Sequence, residues 1–61
     1  MEVDEMTADE FRAARTRLGW SIHRTARELG RHPSMICRYQ AGEIAIPVIV
    51  KTLINMKLEQ A

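Results

Sequence analysis

The chain has 61 residues, 46% of them hydrophobic and 28% charged, with a net charge of +1; this bounds it to one small globular domain, marginal enough to gain from a partner chain, and excludes a disordered one. A single cysteine, Cys37, excludes an internal disulfide and fits a reducing cytoplasm, and no apolar run approaches the roughly 18 residues of a helical membrane span. The small net charge hides a strong division: residues 1–10 carry five acids and no base, residues 11–40 carry seven arginines against Glu28 alone, and residues 41–61 balance.

Residues 1–6 read as a disordered acidic arm, without the basic start and apolar core of a secretion signal. A folded domain is expected over residues 7–61. Thr7 and Glu10 stand at capping-box spacing, where each side chain satisfies a free amide of a first helical turn. Phe11, Ala14 and Leu18 follow at i, i+3 and i+7, one apolar stripe that ends at Gly19. Ser21 is a good N-cap for a second helix running to Leu29, with Ile22, Ala26 and Leu29 facing inward and Thr25 on the same side. Gly30 stops it. A third helix is predicted from Pro33, whose missing amide costs nothing in a first turn, with His32 as its cap and Gly42 as its end. Pro47 opens a predicted fourth helix that reaches Leu58. No segment alternates as a strand does, so the fold class is all-α: a compact domain of four short helices.

Two helices of about eight residues joined by a three-residue turn make a helix-turn-helix unit. Its steric demands are met. Ala26 is small where the helices cross, Gly30 accepts a left-handed turn conformation, and Ile36 fills the angle from the second of the two helices. All seven arginines lie in the middle half of the chain, a charge segregation that suits a polyanion, with a solvated basic face that has no partner as an equal alternative.

From Thr7 to about Met56 the chain resembles the phage Cro-repressor (XRE-type) helix-turn-helix family. The residues that carry the resemblance are Phe11, Arg15, Leu18-Gly19-Trp20-Ser21, Ala26, Leu29-Gly30, Ile36, Arg38-Tyr39-Gln40-Ala41-Gly42-Glu43 and Ile46-Pro47. The resemblance implies a repressor-like fold of four or five helices, binding to double-stranded operator DNA as a symmetric homodimer, and repression or tuning of transcription. It further implies that the second helix of the motif reads bases while the start of the first grips the backbone. Four positions depart from the family pattern. Ile22 stands where a phosphate-touching glutamine is common, Thr25 where a core leucine is usual, Arg31 at a small or apolar turn position, and Gln40 where an acid often pairs with the arginine matching Arg15.

At 100° per residue the third helix turns Ile36, Tyr39 and Met35 to one side and Ser34, Cys37, Arg38 and Ala41 to the other. One arginine among small residues suits a groove roughly 12 Å wide. Arg38 is the leading candidate for a base contact, able to bridge two guanine acceptors. Ser34 would donate to a base or phosphate, Met35 and Pro33 would touch a thymine methyl, and Cys37 is a small side chain near the DNA. Candidate phosphate contacts are Ser21, His23 and Arg24 at the start of the second helix, with Arg31 and His32 in the turn. Arg15 and Gln40 complete that set, and for Arg15 a structural bond to Gln40 or a carbonyl is an equal alternative. Arg12, Arg17 and Arg27 point away from the apolar stripes and serve solubility. No enzyme is expected: His23, His32 and Cys37 match no zinc spacing and no acid–base constellation is visible. Neither metal nor cofactor is expected.

In the fourth helix the apolar residues Ile49, Val50, Leu53, Ile54, Met56 and Leu58 cover roughly 200°, wider than the stripe one core needs. Ile49, Leu53 and Met56 are therefore the expected homodimer interface. The same surplus face supports an alternative, an antitoxin or protein–protein interaction module built on the same helices.

Overall fold

The computed structural model describes residues 5–60, and its regular structure is four helices: α1 (Ala8–Leu18), α2 (Ile22–Leu29), α3 (Pro33–Ala41) and α4 (Val48–Gln60). The start of α1 is fixed by the capping box. The Glu10 amide donates to Thr7 Oγ1 at 3.1 Å, and the Thr7 amide donates to Glu10 Oε1 at 2.9 Å. Ser21 caps α2 through Oγ, which accepts from the Arg24 amide at 3.1 Å. Gly30 ends α2 at φ 67°, a conformation that would strain any residue with a β-carbon. Its turn is closed by the Arg31 amide, which reaches back to the Ala26 carbonyl at 2.9 Å. Gly19 and Gly42 close α1 and α3 in the same way.

Helix α1 packs on α3 and α4, and α2 packs on α3 and more lightly on α4. Phe11, Ile36, Tyr39, Val50 and Ile54 are fully enclosed between them. Phe11 and Tyr39 meet edge to face, their ring centroids 5.8 Å apart at 69°, the arrangement the ring quadrupoles favour. Ala26 and Leu29 bring α2 onto this core, and Leu18, Ile22, Met35, Ile44, Leu53 and Leu58 surround it half-buried. The radius of gyration is 10.7 Å, close to the roughly 10.5 Å expected for a compact chain of this length.

Thr25, on the inward side of α2, is fully buried. Its hydroxyl donates to the Ser21 carbonyl at 2.7 Å, so the polar atom is satisfied within its own helix and the methyl is left for the core.

Three boundaries differ from the sequence expectation. Residues 1–4 of the predicted arm, and Ala61 at the end of the predicted domain, lie outside the described residues. Met6, the last residue of that arm, is not part of a solvated tail: it forms an antiparallel bridge with Ile46, and both side chains are buried in the core. Burial of a methionine side chain outweighs the preference of the acidic run around it. Pro47 stands just before α4 rather than in it. Its carbonyl accepts the Val50 and Lys51 amides at 3.0 and 3.1 Å, and α4 continues to Gln60.

Candidate nucleic-acid interface

Helix α3 is divided as its periodicity predicts. Ile36 and Tyr39 are buried, while Ser34, Cys37, Arg38 and Ala41 form an exposed face. Two of the expected base-contact residues are less available. Met35 is half-buried against the core and Pro33 is half-buried at the start of the helix, so each offers only its outer edge. His32 is the N-cap: its Nδ1 accepts from the Ser34 amide at 3.2 Å and lies 2.9 Å from Ser34 Oγ. The first turn of α3 therefore has no amide left for an anion. Pro33 has none, Ser34 gives its own to His32 Nδ1, and Met35 and Ile36 donate to the His32 carbonyl.

The amino end of α2 is different. Ser21, His23 and Arg24 are all exposed there, and the Ile22 and His23 amides find no hydrogen-bond partner among the described residues. Free amides with the positive end of the helix dipole make a place where a phosphate oxygen is stabilised. Arg24 is the third residue of this helix. Its guanidinium carbon lies 5.5 Å from the centroid of the Trp20 ring, a cation–π arrangement on a buried indole. Its Nε is 3.7 Å from Glu28 Oε2, and Glu28 Oε1 is in turn 3.6 Å from Lys57 Nζ of α4. Arg24 is thus held on one edge and one face.

Arg15 and Gln40 are both half-buried. Arg15 donates from a terminal nitrogen to the Trp20 carbonyl at 3.0 Å, which is the structural role among its two alternatives. Its Nε and Gln40 Oε1 are both buried without a hydrogen-bond partner. Gln40 instead uses its main-chain carbonyl, which accepts from Arg12 at 3.0 Å. Its side-chain oxygen is buried; the donor end of the group, Nε2, is the atom that a phosphate would engage. Arg12, expected only to keep the chain soluble, ties α1 to the end of α3 and pairs with Asp9 one turn earlier. Arg31 is half-buried in the turn, its guanidinium at 3.5 Å from the Gly30 carbonyl, while His32 remains exposed.

On α4, Val50 and Ile54 close the core while Val48, Ile49 and Met56 are 60%, 55% and 48% exposed, unusual for large apolar side chains on one helix of so small a protein. Leu53, expected in the same interface, is half-buried and packs on the core, so it contributes only a flank.

Three contributors escaped the sequence reading: Trp20, Glu28 and Lys57. The spacing contains part of the signal, since Arg24 and Glu28 are four residues apart and helical neighbours. The Lys57 partner comes from a distant helix and leaves no local trace. Among the described residues no group of three or more histidine, cysteine, aspartate or glutamate side chains is placed to hold a metal ion, and no helix is long and apolar enough to cross a membrane. Comparison with protein-family models, with curated proteins and with solved structures finds no match to this chain.

Proposed function

We propose that this chain is a sequence-specific double-stranded DNA-binding regulator of transcription, acting as a homodimer in the cytoplasm on a roughly palindromic site. The observation that carries the reading is the pairing of two surfaces on one two-helix unit. One is the small-residue face of α3 around Arg38; the other is the open amide end of α2 beside Ser21, His23 and Arg24. The first is narrow and carries a single cation, which suits base edges in a major groove. The second offers amides and the Arg24 cation, which suit the sugar–phosphate backbone. Its mechanism is occupancy: a bound dimer blocks or recruits polymerase at a promoter. The exposed apolar residues of α4 supply the dimer contact. The same residues also favour a second reading, an interaction module or antitoxin in which α4 engages another protein.

Electrostatics gives the test. If each subunit neutralises about three to five phosphates, the slope of log K against log[salt] for the dimer is roughly −5 to −9. Fluorescence anisotropy of duplexes selected from a random pool, repeated across a salt series, measures it. A chain that binds no duplex at low salt is not a DNA-binding protein, and the interaction-module reading then takes its place.

A further inference from the structure

We infer that Glu28 is a positioning residue for Arg24, holding its guanidinium ready for the nucleic-acid backbone, with Lys57 as the counter-ion that keeps Glu28 from repelling that backbone. The inference rests on the duplex-binding reading above and adds a residue class that reading does not contain. Glu28 is the only acid between residues 11 and 40. An uncompensated carboxylate on a phosphate-binding surface weakens binding, so its surroundings decide what it does there.

Those surroundings are specific. Glu28 Oε2 faces Arg24 Nε at 3.7 Å, and the Trp20 ring lies under the guanidinium, with its centroid 5.5 Å from the guanidinium carbon. These two contacts fix the orientation of the planar group about its long stem. The terminal nitrogens of Arg24 have no hydrogen-bond partner among the described residues, so the fork that pairs with phosphate oxygens stays open. Lys57 Nζ, 3.6 Å from Glu28 Oε1, cancels the carboxylate charge, and the three side chains together present one net positive charge. The arrangement also joins the amino half of α2 to α4 through a side chain that only tertiary packing brings there.

An arginine free in solvent loses rotamer freedom when it engages a phosphate, and an arginine already held loses less. Removing the hold therefore weakens binding even where it removes negative charge. The charge-balanced variant Glu28→Gln/Lys57→Gln keeps the net charge of the chain and should bind a selected duplex about two- to tenfold more weakly, the cost of ordering one long side chain. Glu28→Gln alone adds a positive charge, so a purely electrostatic role for Glu28 predicts tighter binding and a steeper salt slope; positioning predicts weaker binding here too. In an Arg24→Ala background the paired substitutions should cost nothing further, because the group they orient is gone. Trp20, the single tryptophan of the chain, provides a readout without DNA: the neutral quencher acrylamide should reach its ring more readily in Arg24→Ala and in both Glu28 variants. Affinity that is unchanged or tighter in both Glu28 variants, with a wild type that binds normally, overturns the positioning role alone. A wild type that binds no duplex overturns the functional reading and this role with it.

Discussion

Single side chains here show how a polar atom survives at a crowded position. Thr25 spends its hydroxyl on the Ser21 carbonyl and packs its methyl inward, so a residue that departs from an all-apolar stripe is accommodated at no hydrogen-bonding cost. Arg15 Nε and Gln40 Oε1 are the contrast, two buried atoms left without partners on facing helices. His32 carries the most consequence for its size, since one ring nitrogen caps α3 and holds the Ser34 hydroxyl. His32→Ala should lower stability by about 1 kcal/mol, the usual worth of an N-cap. For a domain this small that corresponds to a melting temperature lower by roughly 4–8 °C, measured by circular dichroism. His32→Asn keeps a capping oxygen and should restore most of the stability; equal destabilisation in both variants would mean that the ring packs rather than caps.

At the level of elements, the first three helices were readable almost to the residue, because each carries its own punctuation. Thr7, Ser21 and His32 are the observed N-caps, and Gly19, Gly30 and Gly42 the observed ends. Local chemistry decides such boundaries, and the sequence holds all of it. What lay beyond reach was set by tertiary packing: Met6 pairing with Ile46, Gln40 turning its oxygen inward, and Lys57 crossing to Glu28. None of these has a periodicity to betray it. Helix α4 lies between the two cases. Its apolar arc is too wide for one core in the sequence, and in the structure Ile49 and Met56 stand about half exposed while Val50 and Ile54 are enclosed. Covering the exposed part of Ile49 in a dimer is worth about 1 kcal/mol per copy. Ile49→Glu should therefore convert a dimer to monomers with an unchanged helical spectrum and weakened duplex affinity. Sedimentation at micromolar concentration is the check, and a wild-type chain that is monomeric both free and on DNA would remove α4 from the interface.

For the whole molecule, the proposed function raises the question of how reading and anchoring would be divided between two helices that share one turn. Helix α3 presents one long polar side chain, Arg38, between Ser34, Cys37 and Ala41, and Ser34 Oγ lies 2.9 Å from His32 Nδ1. On the DNA-binding reading proposed above, direct hydrogen-bonded readout would rest chiefly on Arg38, with Ser34 beside it and DNA shape supplying the balance. Arg38→Ala should cost about 1–3 kcal/mol and relax preference at one base pair per half-site. Arg24 lies at the amino end of α2, on Trp20 and beside Glu28, where nothing distinguishes one base from another. Its removal should weaken binding to all duplexes alike and make the salt slope shallower by about one for each phosphate no longer neutralised. Affinities of both variants against a panel of single-base operator substitutions separate the two roles. Uniform weakening from Arg38→Ala together with altered base preference from Arg24→Ala would reverse them, placing α2 in the groove and α3 on the backbone.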